Sequence, residues 1–243
     1  GGAGVQRWLK FSKYLPEFRW DPVVFTPENP DVPVEDVTLL EEVSSLVQVL
    51  KIPIFEPSRV FSLFGRKMST TRMGASTTSG KKTSIIKGFI RWVRGNIFVP
   101  DARVTWVKPA VKFINKWISK YHIDAIITTG PPHSMHIIGL EVKKKYPELK
   151  WISDLRDPWS DMDYLDDFKM GKRAKRKLIE MEKMVVAYSD KITITSPSVV
   201  TTLLDDGNKD KAILIQNGWD SLDFKDVKAS VNKSAVFKIG HFG

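Results

Sequence analysis

The chain has 243 residues, 42% of them hydrophobic, no cysteine, and 38 basic against 28 acidic side chains for a formal charge of +10. Such a length and apolar content exclude a disordered chain, and the lack of cysteine excludes disulfides and thiolate metal sites, which is compatible with a reducing compartment. No run of about 18 apolar residues spans a bilayer and the first eight residues lack the regions of a signal peptide, so a soluble, cytoplasmic chain is expected, its positive charge favouring nucleic acid, a phospholipid surface or phosphorylated substrates.

The chain opens on Gly1, Gly2, Ala3 and Gly4, directly before a helical pattern over 5–15. Backbone amides and the positive end of a helix suit a phosphate there; a tight turn that needs glycine is the alternative, and the spacing matches neither G-x-G-x-x-G nor a Walker loop. A glycine loop of this kind normally follows a strand, so a first strand is expected to be missing. Apolar strands follow at 22–26 and 47–55. The stretch 65–83, rich in Ser, Thr, Gly and Lys, is expected to be a mobile basic insertion. From Arg66 to Arg94 there are eight basic residues and no acidic one. The helical pattern at 84–94 carries apolar residues at 85, 86, 89, 90 and 93 with Lys87, Arg91 and Arg94 elsewhere around it. It suits an interfacial helix on anionic lipid or a surface helix packed on a core.

Asp101 is placed to cap the helix expected over 103–121. Beyond it, strands at 123–129, 150–155, 191–195 and 212–216 alternate with helical patterns at 134–145, 167–188 and 198–205. Runs this apolar belong inside a parallel sheet covered on both faces, and the alternation predicts a doubly wound α/β, Rossmann-like fold. Six basic residues between Lys169 and Lys177 read as a solvated helix face. The turn "NGWD" follows the last of these strands, then a connector over 218–234, and 235–243 reads as the first strand of a second domain.

Ligands of such sheets sit outside the carboxyl ends of the strands. The run "TTGPPHSMH" leaves a strand through Gly130, Pro131 and Pro132, which puts His133 at that edge, with His133 or Ser134 capping the next helix. His133 and His136 are close enough for a metal pair, but no carboxylate or third histidine lies nearby in sequence, and zinc takes three or four protein ligands; no metal site is expected. His133 is the candidate for substrate contact and His136 for helix packing. "SDLRDPW" puts Arg156, Asp157 and Trp159 beside the same edge, where Arg156 suits a phosphate and Asp157 a sugar hydroxyl, or the two form a salt bridge that anchors the loop.

The ordered set "GGAGVQRWLKFSKYLPEFRWDPVVFTPENP", "FVPDAR", "IDAIITTGPPHSMHIIGL", "WISDLRDPWS", "DKITITSPSVV", "QNGWD" and "IGHFG" resembles the N-terminal domain of a family-four glycosyltransferase of GT-B architecture, close to a bacterial subfamily. The resemblance implies an acceptor-side domain over 1–217. It implies transfer of a sugar, with retention, from a nucleotide-diphosphate donor to a glycan or lipid-linked acceptor in cell-surface polysaccharide synthesis. The nucleotide-sugar is a substrate, and no cofactor or obligatory metal is implied. Gly1, Gly2 and Gly4 match the loop that approaches the diphosphate, and His133 falls where related enzymes place a polar active-site residue. Arg156, Asp157 and Trp159 are the further substrate-binding candidates. Peripheral contact with the anionic inner membrane face is an expected partner; nucleic acid is not, because the basic residues concentrate in one loop and one helix without a reading motif. A Rossmann-like oxidoreductase domain is the alternative, disfavoured because Thr26 and Pro27 end the strand where an acidic residue would hold a ribose. A basic nucleic-acid-binding module is the third reading.

Overall fold

The computed structural model describes residues 3–32, 36–57, 81–160, 163–205 and 207–226. Gly1, Gly2, the insertion as far as residue 80, and the strand expected at 235–243 lie outside the described residues. The fold is α/β with all strand pairs parallel. Its helices are α1 (Ala3–Tyr14), α2 (Lys81–Asn96), α3 (Val107–Ile118), α4 (Ser134–Lys145), α5 (Lys172–Tyr188) and α6 (Pro197–Leu203). Its strands are β1 (Val23–Pro27), β2 (Gln48–Ile52), β3 (Ala125–Gly130), β4 (Lys150–Leu155), β5 (Lys191–Ile194) and β6 (Ala212–Leu214).

The strands fall into two sheets. β3-β4-β5-β6 lie side by side in chain order, with Gly130 opposite Leu155 and Leu155 opposite Ile194, so three strands end at one edge. Among the described residues β1 pairs only with β2, from Val23 opposite Gln48 to Pro27 opposite Ile52. Although not hydrogen-bonded to each other, the sheets share a core. Phe25 of β1 stacks on Trp106 at 4.9 Å and on Phe113 of α3 at 5.4 Å, and Ile126 of β3 packs into the same cluster.

β4 shows how alternation sorts the two faces. Trp151, Ser153 and Leu155 point to one side, where Ser153 meets Ser189 after α5 and the Trp151 indole lies under Gly139 of α4. A β-carbon at 139 would stand 2.6 Å from that ring, so this helix reaches the sheet only with glycine there. Asp154 points to the other side, towards α1.

Several expected elements have different ends. The helix at 103–121 is a 3-10 turn, Ala102–Trp106, followed by α3, where Pro109 falls in the first turn and removes no helical hydrogen bond. The pattern at 167–188 divides into a 3-10 turn, Asp163–Phe168, and α5, because Lys169 is left-handed at φ 47 and Gly171 is the extended N-cap. α2 starts at Lys81, inside the stretch expected to be loop.

Candidate functional site

β3 delivers the chain through Gly130, Pro131 and Pro132, with both X-Pro bonds cis, to His133 at the start of α4. Neither His133 nor Ser134 provides the side-chain cap. Asp101 does: its carboxylate accepts the Ser134 N–H and hydroxyl, both at 2.8 Å, as well as the Arg103 N–H at 2.9 Å. Asp101 thus caps its own turn as expected, and a second helix 33 residues away, leaving the His133 ring free for other contacts.

That ring turns inward. His133 is 5% exposed, its centroid 4.8 Å from that of Trp159 and 6.2 Å from that of His136. His136 is fully buried, its Nδ1 2.9 Å from Thr128 Oγ1, which also accepts the Trp151 indole N–H at 3.0 Å. It therefore serves helix packing, as expected. A β-carbon on Gly130 would lie 2.6 Å from His136 Nε2 and 3.2 Å from His133 Nδ1, so both ring nitrogens converge over the Cα of this buried glycine. Among the described residues, those two atoms and Trp159 Nε1 are buried without a hydrogen-bond partner. Three adjacent unsatisfied nitrogens are unusual, since each costs about 1–3 kcal/mol when desolvated. Burial, assisted by the neighbouring His136 and Arg156, lowers the pKa of His133 to about 2, and burial with the charge of Arg156 lowers that of His136 to about 3. Both rings are neutral, each offering one donor and one acceptor.

Arg156 joins this turn to the start of α1. Its Nε donates to the Gly130 carbonyl at 2.8 Å and Nη2 to that of Pro131 at 3.1 Å. Gly4 lies against the same guanidinium, where any β-carbon would overlap Nη1. Arg156 thus anchors the neighbouring turn through carbonyls. Burial and the charge of Arg7 lower its pKa, with Asp154 and Asp157 opposing them. Asp157 is half-buried at the same strand exit. Trp159 is 1% exposed, a core residue against His133. Its loop is held from α5 by Glu182, whose carboxylate accepts the Trp159 N–H at 2.9 Å, the Ser160 N–H at 3.3 Å and the Ser160 hydroxyl. The structure therefore brings Gly4, His133, Arg156, Asp157 and Trp159 to one edge of the sheet, with His133 and Trp159 inside it.

Beneath these groups lies a network that inspection of the loops misses. Asp154 is completely buried and accepts from Arg7 Nη2 at 3.2 Å, Trp8 Nε1 at 2.7 Å, Thr129 Oγ1 at 2.8 Å and Thr193 Oγ1 at 2.7 Å. Arg7 also donates to the Gln216 carbonyl and to Asn217 Oδ1, both at 3.2 Å. A single carboxylate therefore ties α1 to β3, β4 and β5. Its signal in sequence is an aspartate inside an otherwise buried strand, a position that requires partners. Among the described residues no group of three or more His, Asp or Glu is placed to hold a metal ion, and no helix is long and apolar enough to cross a membrane. No protein-family model matches this chain, and no curated protein or solved structure matches it.

Proposed function

We propose that this chain is the acceptor-side part of a retaining glycosyltransferase that moves a sugar from a nucleotide-diphosphate donor to a glycan or lipid-linked acceptor in bacterial cell-surface polysaccharide synthesis. The carrying observation is the convergence at one carboxyl edge of Gly4 in the first turn of α1, the Arg156 guanidinium and the neutral His133–His136 turn. Such an edge is where open α/β sheets take ligands, and a helix start beside a guanidinium favours an anionic group such as a diphosphate leaving group. His133, neutral and with Nδ1 unpartnered, hydrogen-bonds a sugar or acceptor hydroxyl once the turn opens to it.

The test is sugar transfer from a panel of nucleotide-sugars by the polypeptide that carries this segment together with a donor-binding domain. Turnover in His133→Ala is expected to fall about 10²-fold with little change in KM, the signature of an interaction made in the transition state. Unchanged kinetics would assign His133 to the turn alone.

A further inference from the structure

The two basic segments of the sequence meet in space. The Asn96 side chain, at the end of α2, accepts the Gly171 N–H at 2.7 Å and donates to the carbonyls of Trp92 at 2.8 Å and Lys169 at 3.3 Å, which places the last turns of α2 against the N-terminus of α5. Gly95 rests on Phe168 and Met170. α5 turns Ala174 and Leu178 onto a small cluster with Val99, and this leaves Lys172, Arg173, Lys175, Arg176 and Lys177 exposed. On α2, Phe89 is 63% and Trp92 45% exposed, their rings stacked at 6.3 Å; Arg91 and Arg94 of the same helix and Ile97 just after it are exposed as well.

Neighbouring acids remove only part of this charge. Asp166 pairs with Lys175 at 3.5 Å and Glu180 with Arg176 at 3.7 Å. Arg94 lies over the Phe168 ring. Among the residues whose side chains are described, Arg91, Lys172, Arg173 and Lys177 have no carboxylate partner. An exposed aromatic pair one turn before the residue that holds the start of α5, where exposed lysines and arginines cluster, matches the headgroup boundary of an anionic bilayer, where indole and phenyl rings enter the interface and lysine and arginine meet phosphates. Ile97, exposed one residue past α2, adds aliphatic surface that a lipid interface accommodates and base stacking does not use.

We infer that the junction of α2 and α5 is a peripheral membrane-binding surface for anionic phospholipid, in which Phe89 and Trp92 insert and Arg91, Lys172 and Arg173 engage headgroups. The surface does not depend on the sugar-transfer reading. Co-sedimentation with phosphatidylcholine vesicles, with and without phosphatidylglycerol, tests it at low and high salt. Binding is expected only to the anionic vesicles and to weaken with salt. Lys172→Glu with Arg173→Glu should weaken it about tenfold or more, whereas the same charge change at exposed Lys108 and Lys112 of α3 should alter it by about twofold at most. Phe89→Ser with Trp92→Ser should abolish the part that survives high salt, while circular dichroism shows each variant folded. Equal losses from both charge reversals, equal binding to neutral vesicles, no binding at low salt, or displacement from vesicles by single-stranded RNA would each overturn the inference.

Discussion

The turn after β3 and the junction of α2 with α5 reverse the usual partition of side chains in opposite senses. At the first, polar groups are buried: two neutral imidazoles, an indole N–H and a carboxylate lie inside the sheet edge. At the second, a tryptophan and a phenylalanine stand in solvent among cations. Exposed apolar atoms are ordinary singly, and buried polar atoms are ordinary when satisfied; clusters of either are what carry information. The same distinction separates how the regions respond to perturbation. Buried polar groups are coupled to the stability of the fold, because every partner lost leaves a desolvated atom behind, whereas an exposed patch is coupled chiefly to whatever binds it.

The largest difference is expected at Asp154. Asp154→Ala leaves the Arg7 guanidinium buried without its carboxylate and strands donors on Trp8, Thr129 and Thr193, so unfolding free energy should fall by about 3–5 kcal/mol. Asp154→Asn, which keeps one acceptor, should cost less. Denaturant unfolding measures both, and a loss below about 1 kcal/mol for the alanine variant would break the comparison by making the network incidental.

Acidification separates the regions next. The unfolded histidines take up protons below their ordinary value of 6.5, while the folded rings resist protonation down to about 2 for His133 and about 3 for His136. The unfolded state therefore binds more protons in that interval, and the stability these residues contribute is fully present above 6.5 and lost as pH falls. By about pH 5 the loss is roughly 2 kcal/mol for each histidine. The melting temperature should drop accordingly, and His133→Gln with His136→Gln should flatten the slope between about pH 6.5 and 5.5, where few carboxylates titrate. Charge reversal at Lys172 and Arg173 should leave that slope as it is. A flat profile in the unaltered protein would mean that the imidazoles are hydrated.

The legible and illegible parts of the molecule divide along similar lines. β3, β4 and β5 read from their apolar runs almost to the residue, since a strand buried on both faces has no polar alternation to blur its ends. Parallel strands then bring His133 and Arg156 to one edge without further information. What the sequence does not declare depends on contacts between distant residues: Asp101 capping α4, Glu182 holding the loop of Trp159, and Asn96 joining α2 to Gly171. Trp159 was legible as a residue at the strand exit but not as the wall that closes over His133. Likewise, the basic segments at 66–94 and 169–177 give no sign in one dimension that their ends are neighbours. The division into two sheets is a further case, because each strand pattern is complete in itself and says nothing of which edges pair.

The smallest expected effect sharpens the comparison most. Phe89 and Trp92 are large aromatic residues, and in a core their replacement by small polar side chains would cost several kcal/mol through lost burial and an unfilled cavity. Here their rings stack on each other, an arrangement worth only about 0.5–1.5 kcal/mol beyond burial even when well packed. Most of the Phe89 surface and nearly half of that of Trp92 already face solvent in the folded chain. The part of each ring that faces solvent in the folded chain is solvated in the unfolded chain as well, so its removal changes stability little. Serine is about as good a helix former as tryptophan or phenylalanine, so the two changes in α2 cost little through propensity. The net shift for Phe89→Ser with Trp92→Ser is therefore expected within about 1 kcal/mol of zero, to be read by denaturant unfolding without lipid. A loss of about 3 kcal/mol or more would show that these rings are held by the protein itself in solution and would move α2 from an outward-facing helix into the core.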